Sequence, residues 1–215
     1  MKIVITGTTH VGKSELFNCI AGKNLSPTGP SVDTTQGIYE IAMTEPTVGK
    51  ITCYDLPGTH GLTKFELGDL VKNIRVLIGR IPFRKGTMMI KSSTTGDPIV
   101  LPGLTRRMTR WEKNRAFILL VIDLVNGFKK DDNLLMQYLR RKMPRTRILA
   151  ICTKANLMPK TLVTEAIEQL RRNIPCNIPI LVLWKRPSLQ NRTIVLREII
   201  NAYLSRGAYL VIGSR

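Results

Sequence analysis

Eight consecutive residues, Gly7-Thr8-Thr9-His10-Val11-Gly12-Lys13-Ser14, place two glycines around four variable positions and end on a lysine and a hydroxyl. The G-x-x-x-x-G-K-[ST] spacing makes a phosphate-binding loop where it follows a strand and opens a helix. Apolar Ile3-Val4-Ile5 precedes it, and Glu15 to Ala21 reads as helix after it. The glycines let the backbone turn its N–H groups inward without a side chain in the way. Those donors and the helix N-terminus form an anion hole for α- and β-phosphates. Lys13 brings a mobile charge to the β/γ-phosphates. The Ser14 hydroxyl is the expected Mg²⁺ ligand, with phosphate oxygens and waters completing the octahedron.

Asp55-Leu56-Pro57-Gly58 directly follows a strand-like run, Lys50 to Tyr54. A carboxylate at a strand end and a glycine three residues on can hold Mg²⁺ through water and sense the γ-phosphate through the Gly58 N–H. The loop before it should supply a threonine that closes over Mg²⁺ and phosphate. Thr35 fits this role best, with Thr34 as the alternative. A third constellation, Thr153-Lys154-Ala155-Asn156, sits after the apolar run Ile148 to Cys152. GTPases carry N/T-K-x-D there, the carboxylate accepting two hydrogen bonds from the guanine edge while the lysine stem packs on the nucleotide. Asn156 offers one acceptor oxygen and an NH₂ that would face a guanine donor. The lost charge-assisted bond is worth roughly 1.5–3 kcal/mol, so guanine selectivity is expected to be loose. No general base is visible. Thr59 stands where other GTPases place a water-orienting glutamine; His60 is the candidate for helping catalysis, ahead of His10, whose loop position is structural.

These residues need a scaffold that brings three distant loops together. The chain reads as strand Lys2 to Thr6, helix Ser14 to Ala21 and a polar loop Asn24 to Thr35. A hairpin follows, Gly37 to Met43 with Lys50 to Tyr54. Phe65 to Ile78 reads as helix and Ala116 to Asp123 as a strand buried on both faces. Asp131 to Lys142, Thr161 to Arg172 and Ser188 to Leu204 read as helices, alternating with strands Ile148 to Cys152 and Pro179 to Trp184, before an apolar tail Gly207 to Arg215. That alternation predicts an α/β fold, a doubly wound and mostly parallel sheet with helices on both faces, which binds ligands at the carboxyl ends of its strands. All 215 residues are expected to form one domain.

Charge is the second signal. Thirty-three Lys and Arg against fifteen Asp and Glu give +18 at pH 7. A protein lying on a phosphate backbone needs such an excess, and an enzyme for a small molecule does not. Residues 80–115 form a basic insertion rich in Gly, Pro and Thr, where Arg106, Arg107, Arg110 and Trp111 suit RNA phosphates and base stacking. Arg140 and Arg141 end a helix, where RNA contact and simple charge–dipole capping compete as explanations. Cys19, Cys53, Cys152 and Cys176 lack metal-type spacing and read as thiols of a reducing compartment. No apolar run is long enough to span a membrane, and no cleavable leader is expected because the first strand begins at once.

With its boxes at Gly7 to Ser14, Thr35-Gln36, Asp55 to Gly58 and Thr153 to Asn156, the chain resembles the EngB (YihA-type) branch of the translation-factor-related GTPases. The Asp123–Asp132–Leu139 spacing and the basic-flanked Trp111 are also similar to that branch. The resemblance covers most of the chain outside Arg80 to Arg107. It implies a six-stranded P-loop GTPase domain that uses GTP and Mg²⁺ and acts in assembly of the large ribosomal subunit. The partners implied are its rRNA, ribosomal proteins or other assembly factors, and the free protein is expected to be a monomer. Three departures stand out: His10 replaces the family's phosphate-loop Asn linked to potassium use, Asn156 replaces the base-reading Asp, and Trp184-Lys185-Arg186-Pro187-Ser188 replaces a Ser-rich final box. Two functions stay open, a GTP-dependent ribosome assembly factor and a pseudo-GTPase acting as a structural, ribosome-bound wedge. A P-loop kinase is a weaker third, opposed by D-L-P-G. A basic, divergent relative of a bacterial factor points to the mitochondrial matrix, with the cytoplasm as the alternative.

Overall fold

The computed structural model describes residues 1–29, 38–59, 64–80, 90–91, 116–205 and 210–212. The elements are β1 (Lys2–Thr6), α1 (Lys13–Ala21), β2 (Ile38–Glu45), β3 (Gly49–Asp55), α2 (Lys64–Leu77), β4 (Ile90–Lys91), β5 (Ala116–Asp123), α3 (Lys130–Lys142), β6 (Arg147–Thr153), α4 (Lys160–Asn173), β7 (Ile180–Val182), α5 (Arg192–Leu204) and β8 (Leu210–Ile212). One sheet runs β4-β2-β3-β1-β5-β6-β7-β8. The β2–β3 hairpin is antiparallel. β1 pairs in parallel with β3 and with β5, and β6, β7 and β8 continue in parallel.

The side-chain period of two explains the layering. Ile118, Leu120 and Ile122 of β5 join α2, α3 and α4 in one core, while Phe117, Leu119 and Val121 join α1 and α5 in the other. β1 and β6 alternate the same way, with Val4, Ile148, Ala150 and Cys152 on the first face and Ile3, Ile5, Leu149 and Ile151 on the second. Every residue of β5 is buried, the pattern of a central parallel strand covered by helices on both sides.

All six expected strands are present, and two short ones extend the edges. β4 pairs with β2 from within the 80–115 stretch. β8 turns the expected apolar tail into a strand, Leu210 to Ile212 pairing with Ile180 to Val182. The last helix begins at Arg192 rather than Ser188 because Asn191 ties the preceding turn: its Oδ1 accepts from the Ser188 N–H at 2.9 Å and its Nδ2 donates to the Arg186 carbonyl at 2.9 Å. Cys19, Cys53 and Cys152 are buried and Cys176 is exposed. Burial pushes the Cys19 thiol up to about 11 and Cys152 up to about 12, so both stay protonated. Among the described residues, no helix is long and apolar enough to cross a membrane.

Candidate functional site

Because β1 is flanked by β3 on one side and β5 on the other, its carboxyl end is where the strand order diverges. The loop from Gly7 to Gly12 leaves the sheet there and enters α1. Gly7 has φ 149°, and a Cβ on it would collide with the Val121 carbonyl oxygen, so the loop can lie on β5 only with glycine at this position. Gly58 is required by close approach: a Cβ there would meet Thr9, backbone included. The Asp55–Gly58 loop is therefore seated directly against the phosphate loop. Two backbone bonds fix it, Leu56 N–H to the Ile5 carbonyl at 3.3 Å and Thr59 N–H to the Gly7 carbonyl at 3.2 Å.

Lys13 is 6% exposed, and its Nζ donates to the Thr8 carbonyl at 2.6 Å. Burial draws the ammonium down to about 8, against the attraction of Asp55 and Asp132. Asp55 is fully buried, and burial pushes its carboxyl up to about 6 although Ser26, Ser14 and Lys13 oppose the shift. Its Oδ2 accepts from Ser14 Oγ at 2.8 Å and Ser26 Oγ at 2.7 Å. Its Oδ1 is buried with no hydrogen-bond partner. A buried acceptor left over beside a hydroxyl pair and a lysine fits a hard cation shared with phosphate oxygens. Among the described residues no group of three or more His, Cys, Asp or Glu could hold a metal ion. Mg²⁺ here would thus depend on oxygen ligands from a bound phosphate.

The base-side box is joined to the same loop from β6. Thr153 Oγ1 donates to the Val11 carbonyl at 2.7 Å. Lys154 Nζ donates to the His10 carbonyl at 2.7 Å and to Asp123 Oδ2 at 2.7 Å. His10 and Lys154 both adopt left-handed backbone, with φ 61° and 63°. Burial alone would raise the Asp123 carboxyl, but bonds from Lys154 and Asn126 outweigh it and hold the group below its ordinary value. Asn156 is exposed in a short 3₁₀ turn, Ala155–Leu157. Beyond β7, Arg186 forks onto Glu15 of α1, with Nε to Oε2 at 3.1 Å and Nη2 on Oε1.

The fold thus brings Gly7 through Ser14, Asp55, Gly58 and Thr153, Lys154 and Asn156 to one edge of the sheet. Arg140 and Arg141 lie at the far end of α3. Thr35, His60, Arg106, Arg107, Arg110 and Trp111 fall outside the described residues. Thr59 is 1% exposed, its hydroxyl buried without a partner, so it does not face solvent as a water-orienting side chain would. Sequence reasoning missed Ser26 and its support. Asn18 of α1 accepts from the Leu25 and Ser26 N–H groups at 2.9 Å and donates to the Ser26 carbonyl at 2.8 Å, pinning Ser26 under Asp55. A polar Asn18 between apolar Phe17 and Cys19 was the available signal. Asp132, named in the sequence only by its spacing from Asp123, is 1% exposed, and its Oδ2 accepts the Lys129 N–H at 3.0 Å at the start of α3.

The model of a family described as 50S ribosome-binding GTPase matches residues 2–154, and the chain belongs to that family. No curated protein matches the chain. Among solved structures, Era in complex with MgGDPNP and nucleotides 1506–1542 of 16S ribosomal RNA superposes with a TM-score of 0.58 at 18% identity, over 98% of this chain and 59% of that one. Era from Aquifex aeolicus bound to GDP and aluminium fluoride gives 0.56 at 17% identity, over 99% and 57%. Toc33 from Arabidopsis thaliana in complex with GDP and Mg²⁺ gives 0.57 at 14%, over 99% and 88%. At these identities the likeness establishes the fold, that of a P-loop GTPase domain. The chain spans under three-fifths of the length of either Era structure.

Proposed function

We propose that this member of the 50S ribosome-binding GTPase family is a GTP-binding assembly factor that acts on the large ribosomal subunit and contacts rRNA through its basic surface. The observation that carries the reading is the convergence of Lys13, Ser14, Asp55 and the Thr153–Asn156 box on one loop. In it, the backbone of Gly7, Thr8, Thr9, His10, Val11 and Gly12 would cradle the phosphates, Lys13 would neutralise them, and Ser14, Asp55 and Thr35 are the residues that would hold Mg²⁺. Mg²⁺ would supply charge neutralisation at the phosphates. Gly58 links the phosphate to the loop that leads into α2, a route by which nucleotide state can reach the ribosome-facing surface. Lys154 and Asn156 take the base. Arg106, Arg107, Arg110, Trp111, Arg140 and Arg141 are the proposed rRNA contacts. The mitochondrial matrix is the proposed compartment.

The EngB-type resemblance and the family description support the large subunit, whereas the Era structure with a 16S rRNA segment raises the small subunit as the competing target. Co-sedimentation with purified subunits decides between them. Binding to large subunits that is stronger with a non-hydrolysable GTP analogue than with GDP is expected. Binding to small subunits alone would overturn the target. The buried Thr59 favours a second reading, a pseudo-GTPase that binds the ribosome without turnover. Identical binding in both nucleotide states, with no phosphate release on subunits, would establish that second reading.

A further inference from the structure

The amino ends of the central strands lie at the opposite end of the sheet from Lys13 and Asp55. They carry a cavity of about 230 Å³ between the last turns of α3 and α5 and the starts of β5 and β6. Arg140, Arg145 and Arg147 line it together with Thr146, Asn177 and Tyr203, and among the described residues no acidic side chain does. Ligand pockets for drug-sized molecules run to about 300–1,000 Å³, so this one suits a single nucleotide unit rather than a whole cofactor.

Helix capping and one side-chain bond explain part of the arginine cluster. Arg147 Nη1 donates to the Tyr203 carbonyl at the end of α5, at 2.5 Å, and Arg140 Nη1 donates to Asn177 Oδ1 at 3.0 Å. Each contact uses one donor of the five that a guanidinium carries. Two further features are not explained by capping. Thr146 is 8% exposed and lines the cavity, yet its hydroxyl has no hydrogen-bond partner. An unpaired buried hydroxyl is costly to the fold, and a turn of the Thr146 side chain toward a ligand acceptor in the cavity would relieve it. The Arg147 guanidinium also lies 5.0 Å from the Tyr203 ring centroid, and that ring stacks on buried Phe117 at 4.7 Å between centroids. A guanidinium backed by two rings is a rigid, planar, positively charged platform of the kind on which unpaired bases stack.

We propose that this cavity binds one nucleotide unit of single-stranded RNA, its phosphate held by Arg140, Arg145 and the Thr146 hydroxyl and its base laid against Arg147. The site rests on the rRNA-binding reading and gives it a second contact, remote from the nucleotide loop. Because the two sites sit at opposite ends of the sheet, RNA here leaves the phosphate loop accessible to GTP.

The experiment uses the full chain with saturating Mg²⁺–GDP and a short labelled oligouridine, titrated across a salt series. Each single-strand phosphate contact contributes about 0.7 to the slope of log affinity against log salt. Arg140 and Arg145 hold the same phosphate, so the double variant Arg140→Gln, Arg145→Gln is expected to flatten the slope by about 0.7 with Mg²⁺–GDP affinity unchanged. Thr146→Val keeps the shape of the side chain and removes only the hydroxyl. It is expected to weaken oligouridine about three- to tenfold at constant slope, with Tm unchanged or higher because no internal hydrogen bond is lost. Wild-type RNA binding with a steep slope that both variants share would overturn this site and leave the rRNA reading standing. No binding of RNA by the wild type would overturn that reading too. Displacement of the probe by inorganic phosphate at the same concentration as oligouridine would reassign the cavity to free phosphate. Equal displacement by an acidic peptide would reassign it to a protein partner.

Discussion

The two sides of the proposed nucleotide site are built differently. On the phosphate side Lys13 and Asp55 are buried, each shifted toward its neutral form by desolvation. On the base side the corresponding groups are less buried: Lys154 is one-third exposed, Asn156 is exposed and Arg186 is nearly three-quarters exposed. A buried charge tolerates little change, because removing its partner strands it away from water. An exposed side chain can drift at small cost, since a surface ion pair contributes about 0–1 kcal/mol. Lys13, Ser14 and Asp55 match the general GTPase boxes, whereas the base box ends on Asn156 rather than Asp. Backbone-directed contacts on the base side, Thr153 to Val11 and Lys154 to His10, anchor the phosphate loop itself.

Three measurements sharpen or break this comparison. The largest effect is expected from Lys13→Ala. A hydrogen bond to a charged group is worth about 1.5–3 kcal/mol, or roughly ten- to hundredfold in affinity at 1.4 kcal/mol per decade. Titration with a fluorescent GTP analogue should show that loss, and equal affinities for the two proteins would mean the phosphate side does not bind nucleotide through this lysine.

The second effect concerns pH. Asp55 is raised to about 6, so the folded protein holds its proton between the ordinary carboxylate value and pH 6. The folded state then binds more protons than the unfolded one in that window, and stability without Mg²⁺ should decrease as pH rises through it, levelling off above about 6. Mg²⁺ needs the ionised carboxylate. The Mg²⁺ affinity of the nucleotide complex should therefore fall about tenfold per unit as pH drops below about 6. Calorimetric titration of Mg²⁺ across this range checks it, and the variant Asp55→Asn, which has no carboxylate to titrate, is expected to flatten the profile. A profile that stays flat in the unaltered chain would remove Asp55 from the Mg²⁺ site.

The smallest effect belongs to the base side. Asn156→Asp restores a carboxylate with two acceptors and should raise the preference for GTP over ATP by about tenfold. Competition between the two nucleotides for each protein gives the ratio. An unchanged ratio would show that the exposed turn at Ala155–Leu157 does not read the base, and that selectivity has moved elsewhere.

Legibility in the sequence followed the range of the interaction. The phosphate loop is local: a strand, a turn demanding glycine at Gly7 and a helix opening at Lys13 all lie within one stretch, so the pattern names the chemistry. β5 was equally plain, since a run of apolar residues from Ala116 to Asp123 has no solvent face to mark. Ser26 was not legible. It lies in a polar loop with ordinary loop composition, and its importance comes from Asp55, 29 positions later. The cavity at Thr146 was likewise hidden, although Arg145 and Arg147 announced its charge. Nothing in the order of residues says that Tyr203 closes over Arg147 from 56 positions away.

The sequence alone determined the α/β order of elements, the phosphate loop, the Asp55 box and the basic excess, because each is written in the types and spacing of neighbouring residues. Only the tertiary structure decided which groups lost water. It placed Asp55 at zero exposure between two serines, tied Lys154 to His10 across 144 positions and left the Thr146 hydroxyl unpaired. Desolvation depends on what packs around a group in space, and the residues that do the packing are distributed over the whole chain.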